Sequence, residues 1–89
     1  MTKYRKKPVV VEARNIETYD QHFLEWAGAN VRYIDPEDRE DDAEFEVWDK
    51  LHSTWIAVYP GQWIIEGVKG EFYPCDAQVF ADTYEAVIE

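Results

Sequence analysis

The side chains with the clearest chemical potential in this 89-residue sequence are one cysteine, Cys75, and two histidines, His22 and His52. A nucleophilic dyad needs a thiol and a base within hydrogen-bond reach, together with an oxyanion site. The spacing places neither histidine beside Cys75, and the adjacent Asp76 is expected to raise the pKa of the thiol. The sequence therefore predicts a buried, unreactive cysteine and a protein that is not an enzyme.

Metal and cofactor sites are not predicted either. Two histidines thirty residues apart and a single cysteine match no zinc-ligand spacing. The acidic stretch of residues 35–46 lacks the central glycine of a calcium-binding helix-loop-helix. We expect no metal ion and no cofactor.

Charge is distributed unevenly along the chain. The 9 basic and 19 acidic side chains give a net charge of −10, and four of the basic ones lie within residues 1–7, a basic N-terminal arm. Residues 35–43 are predicted to form a solvated acidic loop. An alternative interpretation is that this loop faces a partner, or imitates nucleic-acid phosphates in a basic cleft. Its candidate acidic surface comprises Asp35, Glu37, Asp38, Glu40, Asp41 and Asp42.

The basic arm offers the opposite hypothesis, contact with a phosphate backbone. Lys3, Arg5, Lys6 and Lys7 are suited to it, and aromatic side chains of a sheet would stack on bases. The acidic balance of the whole chain opposes that contact. We expect no nucleic-acid partner, with the arm solvated or paired with the acidic loop.

Two further places are candidates for binding. Trp48 is predicted on the strand face of Glu44 and Glu46, where it would be exposed and mark a contact surface. Residues 63–73 are predicted to form a hairpin that carries Lys69 outward at its bend, with the Tyr73 ring and Cys75 thiol toward the core. The candidate binding residues are Trp48, Lys69, Glu71 and Tyr73.

Periodicity predicts one main helix and one short helix. Apolar residues recur on one helical face over residues 19–27, a capping box is predicted at Thr18 and Gln21, and Gly28 is the stop. A short helix at about residues 77–82 begins after Asp76. The inward residues predicted around this helix are Val79, Phe80 and Tyr84.

Strand patterns fill most of the remaining chain. The β-branched run at residues 9–11 is a strand seed, and residues 31–33, 44–49, 54–59, 63–65 and 71–73 are further strands. Residues 54–59 are apolar on both faces, which favours the middle of a sheet, and a type II turn is expected at residues 59–62. Pro74 is expected to stop its strand, and residues 85–88 to close an edge. The prediction is an α+β fold, a mainly antiparallel meander sheet packed by the main helix.

Composition bounds the class of protein. Hydrophobic residues make up 46% and aromatic residues 16%, values too high for a disordered acidic tail. A chain of this length forms a single domain, residues 1–89. With one cysteine, no signal-peptide pattern and no run of ~18–20 apolar residues, the cytoplasm is the expected compartment.

Three segments resemble a family of small proteins encoded by bacteriophages and prophages. They are YRKKPVVVEA at residues 4–13, PGQWIIEGVKGEFYPC at residues 60–75, and Phe80 with the TYE of residues 83–85. Gln62 stands where an aspartate is common in that family. The resemblance implies a phage-related, viral accessory protein acting inside a bacterial cell, and it implies no catalytic residue.

The expected function is therefore non-enzymatic binding of a macromolecular partner, a host or phage protein, in the bacterial cytoplasm. Free strand edges favour a small homo-oligomer. Two alternatives remain: a small-ligand or nucleotide-binding protein with an aromatic pocket near Lys69, and the acidic nucleic-acid mimic.

Overall fold

A computed structural model describes residues 2–88, so the first residue of the basic arm and the last of the predicted domain lie outside the described residues. The strands are β1 (Glu12–Asn15), β2 (Val31–Tyr33), β3 (Phe45–Asp49), β4 (Thr54–Val58), β5 (Trp63–Glu66) and β6 (Phe72–Cys75). The α-helices are α1 (Gln21–Ala27) and α2 (Ala77–Thr83). Three single 3-10 turns lie at Ile16–Thr18, Gly28–Asn30 and Pro36–Asp38.

The strands divide between two antiparallel sheets. The first sheet has the order β1-β5-β6 and the second sheet has the order β2-β3-β4. The predicted α+β class and antiparallel pairing are confirmed, but the strands do not run on as one meander. The break comes after β4, because β5 pairs with β1 from the other end of the chain.

The turn at residues 59–62 makes that break. Tyr59 O accepts from Gln62 N at 3.1 Å and Gly61 has φ +82°, the left-handed value that a type II turn requires at this position. Asn15 then ties β1 to the turn, donating from Nδ2 to Gly61 O at 3.1 Å. The predicted turn is confirmed. The central position predicted for residues 54–59 is wrong, because β4 is an edge and β3 occupies the middle.

Helix α1 starts two residues later than predicted. The Asp20 side chain accepts from Phe23 N at 2.9 Å and caps the helix, whereas the Thr18 hydroxyl donates to Asn15 O. The Thr18 capping box is therefore wrong. Gly28 ends the helix as expected, with φ +58° and its N–H bonded to Leu24 O.

The strand seed at residues 9–11 is also wrong, because β1 begins only at Glu12. Val9 and Val10 are exposed, Val10 at 77%, and the register with β5 ends at the pair Glu12–Glu66. Beyond that pair β5 turns away toward β6. Residues 9–11 have high β propensity, but no strand among residues 2–88 lies beside them, so they form no ladder of hydrogen bonds.

Strands β5 and β6 form the predicted hairpin. Gly70 N donates to Gly67 O at 3.0 Å, and Gly67 N donates to Glu71 O at 2.7 Å. Pro74 does not stop β6, because it pairs with Ile64 inside the strand. A proline fits there because β6 is an edge, where a missing N–H breaks no ladder.

Helix α2 is capped as predicted, with Asp76 accepting from Gln78 N and Val79 N. Phe80 and Tyr84 are half-buried, but the inward position predicted for Val79 is wrong, since it is 54% exposed. Residues 85–88 form no strand and are exposed. The edge strand predicted there is wrong because no described strand lies beside it.

Two apolar layers hold the fold together. The main core joins both sheets and α1, and its largest buried side chains include Phe23, Val47, Val58 and Ile64. A second layer lies on the opposite face of the first sheet, where Ile65 is fully buried and the Trp63 ring stacks on Phe80 of α2 with centroids 4.1 Å apart. The first sheet is therefore covered on both faces.

Candidate functional site

The outer face of the second sheet carries an aromatic and charged cluster. Strand register puts Trp48 opposite Trp55, Glu46 opposite Ala57, and Arg32 opposite Glu46. Paired residues project to the same side of an antiparallel sheet, and this is the side away from Val47 and the core. We call it the tryptophan face, comprising Arg32, Glu46, Trp48, Trp55 and Ala57.

Stacking orders the tryptophan face. The rings of Trp48 and Trp55 meet edge to face with centroids 5.3 Å apart. The Arg32 guanidinium lies 3.8 Å from the centroid of Trp55 and donates from Nε to Glu46 Oε1 at 2.5 Å. Edge-to-face aromatic pairs and cation–π contacts hold side chains in fixed positions. The surface is thus preorganised, and its one ion pair leaves it without net charge.

The β3–β4 turn extends this face. Leu51 is 85% exposed at the end of the hairpin. Asp49 fixes the turn by accepting from Leu51 N and His52 N, and its carboxylate lies 2.7 Å from His52 Nδ1. The bond with His52 lowers the pKa of Asp49. Leu51 is therefore presented by a turn with its own internal hydrogen bonds.

The predicted site at the β5–β6 turn has a different character. Lys69 is exposed, as expected, but Glu71 folds under the turn and accepts from Lys69 N at 3.0 Å. The Glu71 carboxylate lies where a side chain at Gly67 would have to go. Glu71 thus stabilises the turn, and the absence of a side chain at Gly67 leaves space for the Glu71 carboxylate.

Tyr73 is a structural residue of the second apolar layer. It is half-buried on the face of the first sheet that α2 covers. Burial and the neighbouring Tyr84 hydroxyl raise the pKa of Tyr73 to about 12. The four candidate binding residues do not converge, because Trp48 is on the second sheet and the other three belong to the first sheet and its turn.

The candidate acidic surface is exposed, and two of its carboxylates form hydrogen bonds with nearby groups of the chain. Asp35 accepts from Glu37 N and begins the turn Pro36–Asp38. Asp41 accepts from the Tyr59 hydroxyl at 2.6 Å and from Ala43 N, and these bonds lower its pKa. The Tyr59 contact brings the acidic loop against the turn at residues 59–62.

The potentially catalytic side chains are not assembled into a site. Cys75 is only half-buried, so the buried position predicted for it is wrong. Its thiol lies 3.6 Å from Asp76 O, and partial burial together with the Asp76 carboxylate raises the pKa of the thiol. His22 lies 3.9 Å from Glu25 of its own helix, and His52 belongs to the β3–β4 turn. Within residues 2–88, no three His, Cys, Asp or Glu side chains are grouped to hold a metal ion. Neither helix in that range is long and apolar enough to cross a membrane.

A small cavity lies beside strands β3 and β4, next to the turns at residues 16–18 and 59–62. Its volume is about 30 Å³, and Ile16, Phe45 and Val58 are among its walls. Such a volume holds one or two water molecules rather than a nucleotide.

Sequence reasoning selected Trp48 but missed Trp55 and Arg32. The available signal was the hairpin itself: a four-residue turn at residues 50–53 pairs Trp48 with Trp55 by symmetry. Arg32 carried no such local signal, because only the distant pairing of β2 with β3 brings it to this face.

Comparison with known proteins adds no assignment, since no protein-family model, curated protein or solved structure matches the chain.

Proposed function

We propose that this is a non-enzymatic, phage-related accessory protein that binds a protein partner through the tryptophan face. The observation that carries the proposal is the Trp48–Trp55 pair with Arg32 stacked on it, on a partly exposed face of the second sheet. Tryptophan and arginine are enriched among the side chains that dominate binding energy at protein interfaces.

The charge of the face favours a protein partner over a nucleic acid. Arg32 is neutralised by Glu46, so the face offers no free cation to a phosphate. The rest of the chain carries a large acidic excess, which repels phosphate groups at longer range. An apolar aromatic centre with a charged rim is the usual anatomy of a protein–protein interface.

The proposal is tested by quantitative affinity capture from a bacterial lysate. The baits are the unchanged protein, Trp48→Ala and Trp55→Ala, with Tyr4→Ala as the matched control, since Tyr4 is an aromatic residue 92% exposed in the arm. We expect a protein that the unchanged bait and the Tyr4→Ala bait recover equally. Each tryptophan variant should recover it at least about tenfold less, the loss expected for an interface hot spot.

Two outcomes contradict the proposal. Recovery that is the same with all four baits excludes the tryptophan face. An empty capture, together with a thermal shift on adding nucleotides, favours the small-ligand alternative instead. Circular dichroism of each variant verifies that the fold is retained.

A further inference from the structure

Strand β1 is a free edge of the first sheet, and residues 2–11 before it form no strand. β5 lies on one side of Glu12–Asn15, and no strand among residues 2–88 lies on the other. Residues 9–11 lead directly into β1 and are three valines in succession. An exposed β-branched run joined to a free edge is a template for pairing with another strand.

The other edges are less suited to pairing. β6 contains Pro74, which lacks the N–H that a new ladder needs. β4 runs straight into the turn at residues 59–62, so it has no unpaired extension. β2 has only three residues.

We propose that β1 pairs with β1 of a second copy of this chain, antiparallel about a twofold axis at Ala13. In this register Glu12 of each copy lies opposite Arg14 of the other, so two pairs of opposite charges face each other across the strands. The Arg14 guanidinium, which lies 5.1 Å from the centroid of the Trp26 ring in its own chain, would have the other copy's Glu12 as its ionic partner. Moving the axis to Glu12 or to Arg14 would place like charges directly opposite each other, which is unfavourable. The small side chain of Ala13 suits the close approach at the axis.

The same pairing leads each basic arm toward acidic groups of the other copy. In an antiparallel pair the N-terminal arm of one chain passes the carboxyl end of the other chain's β1. An extended chain advances about 3.3 Å per residue, so Lys7 would reach roughly 13 Å beyond the other copy's Asn15.

Acidic side chains lie at that end of β1. Glu17 follows it in the next turn and accepts from Gly61 N at 2.8 Å. Asp41 contacts Tyr59, two residues from Gly61, and Asp42 and Glu44 line the same surface depression beside Tyr59. Four basic side chains of the arm therefore approach a group of four carboxylates. This inference does not depend on the tryptophan face, which lies on the other sheet.

The register is tested by cysteine crosslinking in a Cys75→Ser background. With Ala13→Cys, the two introduced thiols meet at the axis, and mild oxidation is expected to give a covalent dimer of twice the 10.5 kDa chain mass. Val11→Cys is the matched control on the same sheet face, because Val11 lies opposite Asn15 in this register. The proposal is overturned if position 11 crosslinks and position 13 does not, or if neither position crosslinks.

Charge swapping tests the ion pairs by sedimentation equilibrium. Arg14→Glu is expected to weaken the dimer about thirtyfold, since two attractive pairs become repulsive. The double variant Glu12→Arg with Arg14→Glu restores opposite charges and should recover the dimer. The proposal fails if Arg14→Glu dimerises as strongly as the original protein. It also fails if the original protein is monomeric at 100 µM, a concentration roughly a hundredfold above a micromolar dissociation constant.

Removal of residues 2–7 tests the arm separately. The truncated chain is expected to dimerise about tenfold more weakly at low salt, and its dissociation constant should depend less on salt than that of the full chain. An identical salt dependence in both chains contradicts the contact between arm and acidic groups. Urea unfolding of every variant distinguishes loss of the dimer from loss of the fold.

Discussion

The two sheets differ in what lies against their outer faces. The outer face of the first sheet is covered by α2, where Phe80 stacks on Trp63 and Ile65 is fully buried. Among residues 2–88 no helix covers the outer face of the second sheet, where Trp48 contacts Trp55 and Trp55 contacts Arg32. Similar aromatic side chains thus serve packing on one sheet and remain available for binding on the other.

The comparison also separates the tryptophans by role. Trp26 packs edge to face on Phe23 and Phe72 within the main core, and Trp63 belongs to the second apolar layer. Trp48 and Trp55 join neither layer. Both rings lie on a partly exposed face, where they can also contact a partner.

The largest expected effect is on the covered face of the first sheet. Ile65→Ala should lower the free energy of unfolding by about 3 kcal/mol, because it removes a fully buried side chain and leaves a cavity beneath α2. Urea denaturation followed by circular dichroism measures the change. Val79→Ala, on the exposed side of α2, is the control and should change stability by less than about 0.5 kcal/mol. A similar loss of stability in Ile65→Ala and Val79→Ala would mean that α2 does not cover a second apolar layer.

An intermediate effect is expected from a pair of aromatic truncations, one on each outer face. Phe80→Ala should cost about 2 kcal/mol, because it removes the stack on Trp63. Trp48→Ala should cost about 1 kcal/mol, since its ring is only half-buried and its aromatic partner is Trp55. If Trp48→Ala is the more destabilising change, the second sheet's outer face is part of the core.

A smaller and equal effect is expected at the two helix caps. Asp20→Ala removes the acceptor for Phe23 N at α1, and Asp76→Ala removes the acceptor for two N–H groups at α2. Each should lower stability by about 1 kcal/mol, and Asn at either position should restore most of it. Thr18→Ala should have little effect in the same urea titration. A greater loss at Thr18 than at Asp20 would contradict the observed start of α1.

The last effect is a pH dependence at the first sheet, which is absent at neutral pH. The pKa of Tyr73 is raised to about 12 from an ordinary value of 10, so the folded chain holds this proton more tightly than the unfolded chain does. Its contribution to stability is present below pH 10 and declines between pH 10 and about pH 12.

Absorbance at 295 nm and urea titrations over that range measure this dependence, and Tyr73→Phe should reduce it. Tyr33→Phe is the control, because Tyr33 is an exposed residue of the second sheet. An equal reduction of the pH dependence in Tyr73→Phe and Tyr33→Phe would contradict the raised pKa of Tyr73.

Much of the local structure could be predicted from the sequence. The apolar spacing from Tyr19 to Ala27 indicated α1, the Pro60–Gly61 pair indicated its turn, and Asp76 indicated the start of α2. In each place the signal and the structure lie within a few residues of each other, because caps, turns and helical faces are local features.

Features set by distant contacts were missed. The valines at residues 9–11 have strand propensity but no neighbouring strand, and Pro74 fits within β6 only because β6 is an edge. Local pattern also suggested a central place for β4, although the order β2-β3-β4 leaves it at the side. The candidate site shows the same division: Trp48 was selected from its own strand, whereas Arg32 reaches the tryptophan face through pairing across the sheet.

Photo-crosslinking in bacterial cells tests the proposed function most directly. A benzophenone amino acid replaces Leu51 beside the tryptophan face, Val79 on the outer side of α2, or Glu40 in the acidic loop, all three exposed. We expect irradiation to give a discrete crosslink to a different protein from position 51 and none to a different protein from position 79 or 40; a crosslink to a second copy of this chain, recognised by its mass, belongs to the β1 pairing. A crosslink to a different protein from position 79 or 40 without one from position 51 would contradict the assignment of binding to the tryptophan face.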